Sequence, residues 1–345
     1  MEPNYQKGIA AGFTLIELLI ASVLLSIMIM AVSTLSISGA EAQEYARRLN
    51  RATEVTQDVM DQMRLEMVSC VRIFGSDTEG TSNRALLDLA GAPTPSASLR
   101  LPTISANESI RKDTTGAEIT GNTLFFTKLA WSDRFVCSGG NDYLVDVFRW
   151  VYYYLTPETP GPAAGSPIGL NLVRVVGEPL IDALSVDRIT DPTDQAEVLL
   201  HLVTASADAN GITHAPCQVV WRRGSLASVV GTLRQINEAD GTLSNSPLVG
   251  RPNPWNILRA DSAISGMLTY RHHSIATNYA RQSFGVGRYG ILSNTGGGFP
   301  HGFEIQVVGP SSARQVLIHL VVASTNRRGQ FAWSDLQVSI DSRDL

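Results

Sequence analysis

Between Phe13 and Ile37 the chain reads FTLIELLIASVLLSIMIMAVSTLSI, with Glu17 as its single charge and neither glycine nor proline. An apolar run of that length is enough to span a bilayer as a helix. It leaves three options: a cleaved secretory signal, a plain membrane anchor, and an anchor whose carboxylate has a task. Glu17 separates them. A carboxylate in a spanning helix costs about 3 kcal/mol on insertion scales and persists where something pairs with it. The core of a signal peptide has no use for one. A conventional signal would instead use the small residues of SISGAEA, around Ser36 to Ala42, as its cleavage site.

The helix is expected to continue past the membrane. From Ala40 to Val71 the chain is rich in Glu, Gln, Arg, Met and Ala, all good helix formers. Tyr45, Leu49, Ala52, Val55, Val59, Met63 and Met67 recur every three or four residues as one apolar stripe, with Arg48, Arg51, Asp58, Asp61 and Arg64 largely outside it. The stripe is expected to pack on the chain's own globular part rather than in a separate coiled coil. One helix from Phe13 to about Ile73 would be about 90 Å long.

The junction GFTLIELLIA, Gly12 to Ala21, resembles the N-terminal motif of type IV prepilins and type II secretion pseudopilins. The resemblance implies a leader at 1–12, cleavage by a prepilin peptidase between Gly12 and Phe13, and methylation of the new N-terminal Phe13. It also implies a retained glutamate, here Glu17. Gly12 lacks a Cβ and lets the protease approach closely, and the cut frees an α-amine with a reference pKa of about 8. We expect Glu17 to pair with the Phe13 amine of a neighbouring subunit and so to set the register of assembly. The expected partners are other pilin or pseudopilin subunits, the prepilin peptidase, an inner-membrane assembly platform and the membrane itself. The globular part would lie in the periplasm and later in an extracytoplasmic filament. Loop charge opposes this orientation, because the leader carries only Lys7 whereas Arg47, Arg48 and Arg51 lie beyond the apolar run. The orientation therefore rests on the motif.

The domain plan follows: leader 1–12, transmembrane segment 13–38, amphipathic extension 39–74, a linker or exposed loop at 75–122, and a β-rich domain at 123–345. The linker is read from its Ser, Thr, Gly, Ala and Pro content, including GAPTPSAS. Strands are expected at Thr123–Leu129, Tyr143–Leu155, Leu170–Val176, Val198–Val203, Val219–Arg222, Phe303–Val308, Val316–Ala323 and Leu336–Ile340. The second and third would form a hairpin across TPETPGPAAGSPIG. Residues 237–300 read as a large irregular insertion. The fold class is α+β, a long N-terminal helix packed on a mainly antiparallel sheet. A strand ending in YYYLTP, a loop and then NLVRVV is similar to the larger minor pseudopilins of the J class and minor pilins of the W class. That resemblance implies a minor subunit. So does Thr34, which stands where many major pilins carry a helix-kinking proline.

Little else in the sequence carries chemistry. With 345 residues and a net charge of -5, the chain has no broad basic surface, so no nucleic acid is expected as a partner. Cys70, Cys137 and Cys217 form no CxxC pair and allow at most one internal disulfide, with three buried thiols as the alternative. There is no GxSxG, HExxH or Walker loop, and GVGRYG at Gly285 to Gly290 lacks the P-loop ending. No catalytic residue, cofactor or metal site is expected. His272 and His273 would point to opposite faces of a strand, and joining them with His301 or His319 makes no zinc set. Asp187, Asp191 and Asp194 fit no EF-hand and read as a solvated turn, though loop calcium stays open. The chain is thus expected to be a filament subunit and not an enzyme. The alternative is a membrane-tethered binding module that presents the 237–300 insertion.

Overall fold

In the computed structural model, which describes residues 14–85, 87, 89–95, 99–110, 119–157, 169–177, 181–182, 189–204, 233–234, 255–258, 273–276, 302–325 and 331–342, the apolar run and the amphipathic stretch form one helix, α1 (Leu15–Val68), of 54 residues. The chain divides into two compact units, Met1–Asn50 and Arg51–Leu345. In the first, every described side chain from Leu15 to Ile37 is exposed. In the second, Ala52, Val55, Val59, Met60, Met63 and Met67 are buried, the face that the stripe marked out. Tyr45, expected on that stripe, is 43% exposed.

The helix stops short of the expected Ile73. Ser69 turns the chain by donating its hydroxyl to the Glu66 carbonyl at 3.0 Å and its N–H to the same oxygen at 3.3 Å. Such side-chain bonding competes with helical continuation. Cys70–Phe74 then becomes strand β1.

The remaining elements are α2 (Thr78–Ala85), β2 (Ile104–Ser105), β3 (Leu124–Val136), β4 (Asp142–Pro157), β5 (Gly169–Val176), β6 (Ile181–Asp182), α3 (Pro192–Thr204), β7 (Leu233–Arg234), β8 (Trp255–Ile257), β9 (His273–Ala276), β10 (Phe303–Val308), β11 (Arg314–Thr325) and β12 (Phe331–Ser342). Ten strands make one sheet in the order β1-β3-β4-β5-β9-β11-β10-β2, with β12 on β11 and β8 on β5, while β6 and β7 pair separately. All described pairings are antiparallel except β10 with β2. The mainly antiparallel α+β expectation is met, and β4 with β5 is the expected hairpin.

Strand alternation sends residues to two faces. Leu124, Phe126, Val151, Tyr153 and Leu172 join Val55, Val59, Met63 and Met67 of α1 in one core. Phe125, Trp150, Tyr152, Tyr154, Val173 and Val175 form a second core on the opposite face with Leu87 and Leu101. A strand such as RWVYYYL is apolar on both sides and needs both covered. The 75–122 stretch supplies the second cover and is therefore more than a connection. Its ends are tied down by the Tyr154 hydroxyl donating to the Pro93 carbonyl at 2.7 Å and by the Asn122 side-chain oxygen accepting from the Arg100 N–H at 2.7 Å.

Two further expectations are corrected. Val198–Val203 is not a strand but the end of α3, whose start is fixed by Asp191: its side chain accepts from the Thr193 N–H at 2.8 Å, and Pro192 occupies the first helical position. Residues 237–300 are not wholly irregular. They contribute β8 to the side of β5, and β9 pairs with both β5 and β11. Their alternating apolar pieces are short but include WNI and HSIA, which find ladder partners far away in sequence. The expected strand Val219–Arg222, the Pro/Gly loop at 158–168, Cys217, GVGRYG and the remainder of 237–300 lie outside the described residues.

Candidate processing and assembly segment

The first described residues form a reciprocal helix cap. Thr14 donates its backbone N–H and its hydroxyl to Glu17 Oε2, each at 2.9 Å, and the Thr14 Oγ1 accepts from the Glu17 N–H at 3.3 Å. This is a capping box, in which two helix-start N–H groups find partners that the helix itself does not supply. Glu17 thereby has a partner within its own chain, and its carboxylate lies at the helix end where the dipole favours negative charge. Farther along, hydroxyls turn inward to the backbone: Ser22 to the Leu19 carbonyl at 2.8 Å, Ser26 to Ser22 at 2.8 Å and Thr34 to Met30 at 2.6 Å. Such bonds hide polar atoms from an apolar surrounding. The apolar part of α1 is long enough to cross a membrane, and none of it is buried.

The far end of the same helix is anchored in the larger unit by charge. Glu66 is buried and accepts from Lys128 Nζ of β3 at 2.5 Å, from Arg174 Nε of β5 at 3.1 Å and from the Tyr153 hydroxyl of β4. Burial alone would raise its pKa, but the hydrogen bonds from Arg174, Lys128 and Tyr153 together bring it down to about 2. The helix is thus fixed on three adjacent strands by one carboxylate in addition to its apolar stripe.

Residues 9–33 match the family model of the prokaryotic N-terminal methylation motif. The chain carries a pilin-like, prepilin-type N-terminus. Comparison with curated proteins and with solved structures gave no match. A motif of this kind on an exposed apolar helix suggests a membrane-anchored, extracytoplasmic pilin-like protein, and in general it implies processing by prepilin peptidase and association with other pilin subunits. Proteins with this N-terminus are generally structural rather than enzymatic.

Of the pilin-like residues singled out in the sequence, Gly12 and Phe13 lie outside the described residues, whereas Glu17 is in the first turn of α1. Sequence reasoning missed Thr14, although a threonine three residues before a glutamate at the head of an apolar run is the signature of a capping box. It also missed Glu66, which on the helix pattern alone is another polar residue beside Met67.

The remaining candidates are structural. Cys70 and Cys137 are both buried. Burial, followed by the charges of Asp194 and Glu197, pushes Cys137 up to about 11, so it stays a thiol. Asp194, expected in a solvated turn, is buried in α3 and accepts from the Asn141 side chain at 2.7 Å and the Tyr143 hydroxyl at 2.9 Å. Glu197 accepts from the Ser138 N–H at 2.7 Å, and the His201 ring stacks on Phe135 with centroids 4.2 Å apart. Together these contacts dock α3 on the tip of the β3–β4 hairpin. His319 is fully buried between carboxylates, with Nδ1 at 3.0 Å from Glu304 and Nε2 at 2.7 Å from Asp335. Among the described residues no group of three or more His, Cys, Asp and Glu is arranged to hold a metal ion.

Proposed function

We propose that this pilin-like protein is a large minor pilin or pseudopilin of the J or W class. In this reading it is cut between Gly12 and Phe13, methylated at Phe13, and built into the start or cap of a type IV pilus or type II secretion pseudopilus. The observation that carries the reading is the methylation motif at 9–33, whose described residues from Leu15 onward lie on the exposed apolar part of α1, followed by the much larger unit Arg51–Leu345. The hairpin of β4 and β5, formed by the YYYLTP and NLVRVV segments, supports the subclass. Its globular part works on the periplasmic side of the inner membrane, and assembly uses the inner-membrane platform.

Glu17 serves assembly in this account. Within one chain Thr14 holds it, and on assembly the freed Phe13 amine of a neighbouring subunit competes for it, because a charged amine outbids neutral donors. The deciding experiment is the intact mass and N-terminal sequence of the protein taken from its native membrane. A chain beginning at N-methylated Phe13 is the expected result. An intact Met1 or a start near Ala40 would refute it. A Glu17→Ala chain that is cut normally yet enters filaments at the wild-type level would overturn the assembly role of Glu17 alone.

A further inference from the structure

A strand at the margin of a sheet carries a row of backbone N–H and C=O groups with nothing beside them, and proteins blunt such margins with short strands, bulges, prolines, lysines or a covering element. The margins at β2 and β1 follow that rule. β2 has two residues; β1 has five, its register with β3 shifts between Cys70 and Arg72, and Arg72 is tied to Glu79 of α2 at 2.8 Å. The margin at β12 does not. Its 12 residues keep unbroken register with β11 and include no proline, lysine or arginine. From Ala332 to Asp341, β11 is its only strand neighbour among the described residues.

The two sides of β12 differ in chemistry. Leu336, Val338 and Ile340 point to the core shared with α1, where Leu336 and Val338 are only partly buried. Asp335, Gln337, Ser339 and Asp341 point the other way and are exposed, two carboxylates with no cation among them. Asp335 is held from beneath: its Oδ1 meets His319 Nε2 at 2.7 Å, while His319 Nδ1 meets Glu304 at 3.0 Å. Its side chain is nevertheless 40% exposed. It is a fixed carboxylate still open to a partner.

We propose that the free edge of β12 is a strand-addition site for an extended segment of another protein, with lysine or arginine opposite Asp335 and Asp341 and aliphatic side chains opposite Leu336, Val338 and Ile340. Residues opposite each other on neighbouring strands share a face. The order basic, apolar, polar, apolar, polar, apolar, basic therefore matches both sides of β12 over about 20 Å. Backbone hydrogen bonds supply the attachment and the alternating side chains the selectivity. A second copy of β12 fits worse, because it brings two more aspartates to the acidic side and like charges across strands repel. The inference depends neither on the cut at Gly12 nor on the class of filament.

The test titrates the full chain in detergent with a fluorescent peptide, Lys-Val-Thr-Val-Thr-Val-Lys, whose central valine is replaced by a photo-reactive leucine. Saturable binding is expected, with the adduct mapped to residues 334–341. Methylating the backbone nitrogens along one edge of the peptide should weaken binding about tenfold or more, whereas methylating those along its other edge should not. Asp341→Lys leaves the His319–Asp335 contact in place; it should weaken the lysine peptide about fivefold and favour a glutamate-flanked one. Binding indifferent to both methylations is charge attraction alone and overturns the proposal. So do an absence of binding, an adduct elsewhere, unchanged affinity in Asp341→Lys, and a chain already dimeric in detergent whose dimer the peptide dissociates, since the edge would then belong to a second copy.

Discussion

Glu66 sets one carboxylate against two cations and a phenol, so removing it leaves Lys128 and Arg174 facing each other in a mostly buried space. Glu66→Gln should lower stability by about 3 kcal/mol, measured by urea denaturation of the solubilised full chain. Its folded pKa of about 2 is below the ordinary 4.5. The stabilisation is therefore complete above pH 4.5 and is lost as pH falls towards 2. His319 works in the opposite direction. Burial would lower its pKa, but the hydrogen bonds to Asp335 and Glu304 raise it from 6.5 to about 9. Its contribution is present below pH 6.5 and disappears as pH rises through 9. A thermal melt should accordingly drop in Tm between pH 6.5 and 9, and His319→Gln should flatten that slope; a slope unchanged in the variant would assign it to other groups. Glu17 was legible as a residue in need of a partner because a carboxylate stands out in an apolar run. Glu66 was not, because its cations come from Lys128 and Arg174, far along the chain, and no local pattern reports them.

Among the elements, α2 sits so close to the preceding turn that a Cβ on Gly80 would lie 2.0 Å from the Gly75 carbonyl oxygen. Gly80→Ala should therefore push α2 off β1 and cost about 2 kcal/mol, an overpacking penalty read from the urea midpoint. The cap on α3 gives a smaller effect: Asp191→Ala removes the acceptor for the Thr193 N–H and should cost about 1 kcal/mol, with helicity by circular dichroism as a second readout. That cap was also the signal overlooked in the sequence. DPTD carries a capping aspartate, a proline at the first position and an acidic first turn, but the apolar run after it reads equally well as strand or helix when taken alone. The end of α1 was obscured for a related reason. Nothing in CVRIF forbids a helix, and it becomes β1 because Phe126 and its neighbours in β3 offer it a ladder.

For the whole molecule, the division into an apolar helix and a β-rich part was readable from composition and period, whereas the sheet order was not, since β9 and β8 are only a few residues long and their partners are distant. This changes the meaning of a deletion experiment. Removing Asn237–Pro300 takes out both strands, so the expected result is loss of cooperative unfolding rather than loss of binding in an intact domain; a deleted chain that still melts cooperatively would show that β5 and β11 do not need β9. The position of β9 also has a consequence in time. Strands β1 to β5 are synthesised early, but the edge of β5 is closed only by β8 and β9, and β9 is held on its far side by β11, whose last residue is Thr325. About 150 residues of synthesis separate the end of β5 from that point, roughly 10–30 s at ordinary elongation rates. Throughout that interval the aliphatic edge of β5 waits unpaired, and the hazard to the nascent chain is set by how quickly its last hundred residues arrive.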